Sequence, residues 1–242
     1  MLRHSINMSP HMSQTAEEPK RPVRHFVEAL DQLNSKLLEM SALVEATILR
    51  SISAVTQKDR SAAEQVFKDE ERINQIEIEI DEYAINLLAT QQPVAADLRL
   101  VVAALKINTD LERMGDLSVH MAQRAVSLLS EPVVTPMVDI PHIAALVQSM
   151  VRKSLDAFVN RDADLARSVL SSDDAVDHLR TASYHELVSF MERSPENIPQ
   201  ALDLIAITRS LERIADHSTN IAEDVMFLVK GVDVRHHAEA RQ

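Results

Sequence analysis

The chain has 242 residues, only two glycines, two tyrosines and five phenylalanines, and neither tryptophan nor cysteine. That composition argues against a β-rich fold, which needs turn glycines and strand aromatics, and it excludes disulfides, thiol catalysis and cysteine-based metal sites. A formal net charge of −12 argues against nucleic acid as a partner, because that work needs a basic face.

Residues 1–25, MLRHSINMSPHMSQTAEEPKRPVRH, lack the apolar stretch of a secretory signal and read as a disordered tail rich in polar, charged and proline residues. No later apolar run reaches the length that spans a bilayer, so no direct membrane insertion is expected and the expected setting is cytoplasmic. From Phe26 apolar residues recur at helical spacing through Leu30, Leu33, Leu37, Met40, Val44, Ile48, Ile52 and Val55, which predicts one long helix. A second is predicted from about Ser61 to Thr90, stopped by Pro93. A third runs from Pro93–Val94 to Leu129, with Asp97 where a carboxylate suits the helix dipole. The proline-rich segment 130–138 reads as a linker. Further helices are expected from Asp139 to Asn160, from Asp162 to Glu192, and from the RSPENIP break to Lys230, with Gly231 as a C-terminal cap and 231–242 as a tail.

The halves 26–129 and 139–230 are copies. At an offset of 103 residues Lys58 and Asp59 face Arg161 and Asp162; at an offset of 100, Ile107, Leu111, Glu112, Arg113 and Asp116 face Ile207, Leu211, Glu212, Arg213 and Asp216. Three helices per copy joined by short turns predict an all-α fold of two tandem three-helix bundles, six long antiparallel helices in all.

Beside the apolar stripe of the third helix run Asn108, Glu112, Asp116 and His120; the sixth carries Thr208, Glu212, Asp216, Asn220 and Asp224. Carboxylates four residues apart on one helix face repel, and when partly desolvated they need an arginine, a proton or a cation. Oxygen donors of this kind suit hard cations, and an imidazole shifts the preference toward iron, manganese or zinc. One helix supplies too few ligands, so the middle helix of each copy is expected to contribute. The 103-residue offset nominates Glu70 opposite Asp173, with Asn74 opposite Asp177. Small residues at 115 and 215 are expected to let a backbone or an ion come close. A solvated acidic face balanced by Arg113 and Arg213 is the competing expectation. His217 is expected at the surface or behind the ligands. His185, in HELVSFM, lies mid-helix with no ATP-binding domain after it. No phosphate loop, nucleophile elbow or zinc-protease motif occurs, and a carboxylate-bridged metal enzyme or metal store is the functional alternative.

QQPVAADLR (91–99), DLERMGD (110–116), SLERIADHSTNIAED (210–224) and VKGVDVRH (229–236) closely resemble the PhoU family, accessory proteins of the bacterial phosphate transport system. The resemblance covers 24–236. It implies two three-helix bundles and a multinuclear metal site of iron, zinc, manganese or magnesium on Glu112 with Asp116 and Glu212 with Asp216. Glu70, Asp173 and Asp177 are the next candidates, and His120 and Asn220 are positions that tune the metal. Ala215 stands where the family has glycine. The resemblance further implies a non-enzymatic cytoplasmic homodimer that limits phosphate uptake and restrains the phosphate-starvation response. Such a protein would link the ATPase subunit of the phosphate ABC transporter with the phosphate-sensing histidine kinase.

Overall fold

The computed structural model describes residues 21–130 and 138–232. Within them the chain is all-α and forms two three-helix bundles. The first comprises α1 (Arg21–Thr56), α2 (Arg60–Gln91) and α3 (Ala95–Leu129). The second comprises α4 (Ile140–Asn160), a middle helix in two pieces, α5 (Ala163–Leu170) and α6 (Asp173–Arg193), and α7 (Ile198–Lys230) behind a single 3-10 turn. The helix expected from Phe26 begins at Arg21. The remainder of the expected tail, most of the proline-rich linker and nearly all of the C-terminal tail lie outside the described residues.

The two bundles turn their first corners alike. Lys58 and Arg161 both take left-handed backbone, at φ 55° and 52°, and each hands on to an aspartate cap. Asp59 accepts from the Ala62 amide at 3.1 Å, and Asp162 from the amides of Asp164 and Leu165, both at 2.9 Å. Such caps satisfy donors that a helix start leaves orphaned. Gly231, at φ 69°, ends α7 as expected.

The expected single helix over 162–192 is instead broken at Ser171–Ser172. Both hydroxyls bond back four residues, Ser171 to the Arg167 carbonyl at 3.1 Å and Ser172 to that of Ser168 at 2.8 Å. Serines that occupy helix carbonyls in this way compete with the backbone ladder, and Asp173 and Asp174 then supply the acidic first turn of a new helix.

α3 and α7 lie side by side at the centre and run antiparallel, since Lys106 meets Asp224, Asp110 meets His217, and Arg124 meets Asp203. Ile107, Leu111 and Met114 of α3 and Ile207, Leu211 and Ile214 of α7 are fully buried, and one continuous apolar core spans both bundles. α1 and α2 cover α3, while α4, α5 and α6 cover α7. α6 is the loosest cover. It leans on α7, barely meets α4, and buries only Val176, Ser183 and Leu187.

Candidate metal centre

Each bundle carries an acidic seam where its middle helix faces its third. In the second bundle the seam is Asp173 and Asp177 of α6 against Glu212 and Asp216 of α7. Asp173 is the most perturbed group: its carboxyl is pushed up to about 6, by burial first and then by Asp177, Asp216, Asp174 and Glu212. Burial also raises Glu212 and Asp216, with Asp177 adding to both; Arg180 opposes the rise in each. Arg180 reaches over from α6 to lie 3.6 Å from Glu212. The buried Oδ1 of Asp173 has no hydrogen-bond partner.

In the first bundle Glu112 and Asp116 of α3 meet Glu77 and Asp81 of α2. Burial raises Glu112, with Asp116 and Glu77 adding to the rise, and it raises Glu77, with Asp81 and Asp116 adding. Arg113 opposes both shifts. It pairs with acids of its own helix, its Nε 3.3 Å from Glu112 and its Nη1 3.3 Å from Asp116. The balancing arginine is therefore real, but it is half in solvent and a single charge against four acids. Asn108 is tied into this seam: its Nδ2 donates to the Glu77 carbonyl at 3.0 Å and to Asp81 Oδ1 at 2.9 Å.

Of the nine residues nominated from sequence, the structure brings together Asp173, Asp177, Glu212 and Asp216 in one seam and Glu112 with Asp116 in the other. Glu70 is not among the charges acting on Glu112 or Glu77; Glu77 and Asp81 face those acids instead. His120 is exposed. Asn220 turns away, donating to Asp110 across the α3–α7 boundary at 3.1 Å. Gly115 makes room for neither backbone nor ion. A Cβ there would lie 3.1 Å from the Ile73 Cδ1, so the small residue admits a core side chain. His217 is half-buried behind Asp216, whose rise it opposes, and its Nδ1 bonds Asp110 at 2.8 Å.

The missed acids have a signal in the sequence. Eighteen residues separate Asp59 from Glu77 but only eleven separate Asp162 from Asp173. Up to its acids the second copy is thus shorter by seven residues, about two helical turns, around the Ser171–Ser172 break; it regains four of them between Asp177 and Glu212, where the offset returns to 100. Two turns preserve the helix face, so Glu77 and Asp81 stand where Asp173 and Asp177 stand, both as acid-x-x-x-Asp.

These seams suit a hard cation. Their donors are carboxylates and an amide, a set that favours magnesium, manganese or iron over zinc, and an unpartnered buried carboxylate oxygen calls for a positive partner. Among the described residues no three acidic or imidazole groups already converge as a finished cage. Among the described residues no helix is long and apolar enough to cross a membrane.

Comparison with known proteins adds to this geometry. The family model of the PhoU domain matches twice, over residues 37–125 and 140–225, one match per bundle. A phosphate-specific transport system accessory protein PhoU homolog of Pseudomonas aeruginosa is 43% identical over 215 residues, 88% of this chain and 88% of the relative. The Pseudomonas putida counterpart is 42% identical, over 88% of this chain and 84% of its own. The crystal structure of PhoU from Pseudomonas aeruginosa superimposes with a TM-score of 0.83 at 41% identity, over 86% of this chain and all 100% of that one. The phosphate transport system regulatory protein PhoU from Streptococcus pneumoniae gives 0.79 at 30% identity, over 86% and 99%.

Proposed function

Because the chain belongs to the PhoU family, we propose that it is a regulatory accessory protein of a phosphate-specific transport system, with its two acidic seams holding hard cations. In this reading it restrains phosphate uptake and the phosphate-starvation response without catalysing a reaction. It does so by binding, as a homodimer, to the transporter's ATPase subunit and to the phosphate-sensing histidine kinase. The observation that carries the metal part is the buried, unpartnered Asp173 oxygen amid four other acids. A bound cation would supply the charge that draws each middle helix onto its third helix. Glu77, Asp81, Glu112 and Asp116 would hold one centre, and Asp173, Asp177, Glu212 and Asp216 the other. Differential binding of partner states is enough to shift a signalling equilibrium, and a rigid two-bundle body suits that work.

Two experiments test this. In a phosphate-replete bacterium lacking its own PhoU, the chain should restore repression of alkaline phosphatase; continued constitutive expression despite normal protein levels would overturn the regulatory reading. Elemental mass spectrometry of untagged protein purified without chelator should find more than about one metal ion per chain. The folded Glu112→Ala/Asp116→Ala/Glu212→Ala/Asp216→Ala variant should have lost that metal. A wild type that is empty and ignores added magnesium, manganese and iron would leave the seams as structural acids.

A further inference from the structure

The two seams differ in one respect that the duplicated acids conceal. Asn108 is completely buried, and its Oδ1 has no hydrogen-bond partner. The amide cannot be turned over to cure this, because its nitrogen already donates to two acceptors, the Glu77 carbonyl and the Asp81 carboxylate. A flipped amide would set oxygen against oxygen at both contacts. The carbonyl end is thus a buried acceptor beside an acidic seam, and the partner it calls for, a water or a cation, comes from outside the chain.

The matching position of the second bundle carries no amide. There stands Thr208 of α7, whose hydroxyl donates to the Ile205 carbonyl at 3.0 Å and offers a shorter-reaching oxygen than an amide. That seam instead carries Arg180, three residues beyond Asp177 on α6. The residue three beyond Asp81 is Ala84, fully buried. Each seam nonetheless carries an arginine, Arg113 beside Glu112 and Asp116 in the first and Arg180 beside Glu212 in the second, and the first has the amide oxygen of Asn108 in addition.

We propose that Asn108 is a neutral oxygen ligand of the first-bundle cation centre, one without a counterpart in the second bundle, so that the two centres bind a hard divalent cation with unequal affinity, the first the tighter. This rests on the reading of the seams as cation centres. A carbonyl oxygen completes the coordination shell of such an ion without adding to the repulsion among its acids; an arginine stands beside the glutamate of either seam, so the added amide oxygen is what sets the first apart.

The test is titration of the full chain with Mn(II), with the free ion followed by electron paramagnetic resonance. Wild type should show two classes of site. Asn108→Thr should weaken the tighter class by roughly tenfold or more, as loss of a supporting group at a metal site does, and leave the weaker class unchanged. Thr208→Asn gives the reciprocal readout, a tightening of the weaker class, and serves on its own if Asn108→Thr does not fold by circular dichroism. Two classes in wild type with neither variant shifting its class would overturn the role of Asn108 while leaving the carboxylate centres standing. A wild type that takes up no Mn(II) would remove the centres and this ligand together.

Discussion

At the scale of single residues, Asp173 is the carboxyl displaced furthest from its ordinary range. Its carboxyl titrates at about 6 against an ordinary 3.8, so between those values the folded state holds a proton that the unfolded chain has released. The contribution to stability is fully present below about pH 3.8 and is lost as pH rises through about 6. Asp173→Asn should therefore melt above wild type at pH 7.5 in the presence of chelator, and the difference should vanish near about pH 4. A gap in melting temperature that stays constant across that range would show that the substitution acts by packing. Mn(II) should raise the melting temperature of wild type at pH 7.5, since anything that binds only the folded state stabilises it. Asp173→Asn should gain less.

At the scale of elements, the caps and the break decide how the second bundle differs from the first. Asp162 holds two amides where Asp59 holds one. Asp162→Ala should cost about 1–2 kcal/mol in urea denaturation, and Asp59→Ala about half as much; equal losses would mean that the second amide bond contributes nothing. The helices, their turns and the Gly231 cap were legible in the sequence because apolar periodicity and proline positions are local signals. The acid seams were legible only in part. Glu112 with Asp116 and Glu212 with Asp216 stand out because they align without gaps. Glu77 and Asp81 did not, because a single offset carried through the middle helix paired Asp173 with Glu70 and overlooked the two turns lost at Ser171–Ser172. The serine pair and the repeated acid-x-x-x-Asp spacing were the available clues. Gly115 misled for another reason: its neighbour Ile73 comes from a different helix, and sequence periodicity says nothing of which side chain fills a gap across a bundle.

At the scale of the whole molecule, the boundary between the bundles is joined by buried charge as well as apolar packing. Asp224, 6% exposed, accepts from Lys106 Nζ at 2.7 Å, and the same ammonium lies 5.7 Å from the centre of the Phe227 ring. Asp224→Ala should cost about 1.5–3 kcal/mol, the range for a hydrogen bond to a charged group. With one core running through both bundles, that loss should move a single urea transition probed by circular dichroism. Two separated transitions would show that the bundles fold independently. His217 and Asn220, both on Asp110, belong to this boundary, and from it His217 also opposes the rise at Asp216 in the acid seam.

The earlier placement of the acids in the second copy also gives the particle a direction. α4 has 21 residues to the 36 of α1, and the acids of α6 lie about 10 Å nearer their turn than those of α2 lie to theirs. A partner that reads the distance from corner to charge can tell one bundle from the other. Gene duplication alone would have made a molecule with two interchangeable ends; the shift of the second copy's acids toward their corner makes one with a head and a tail.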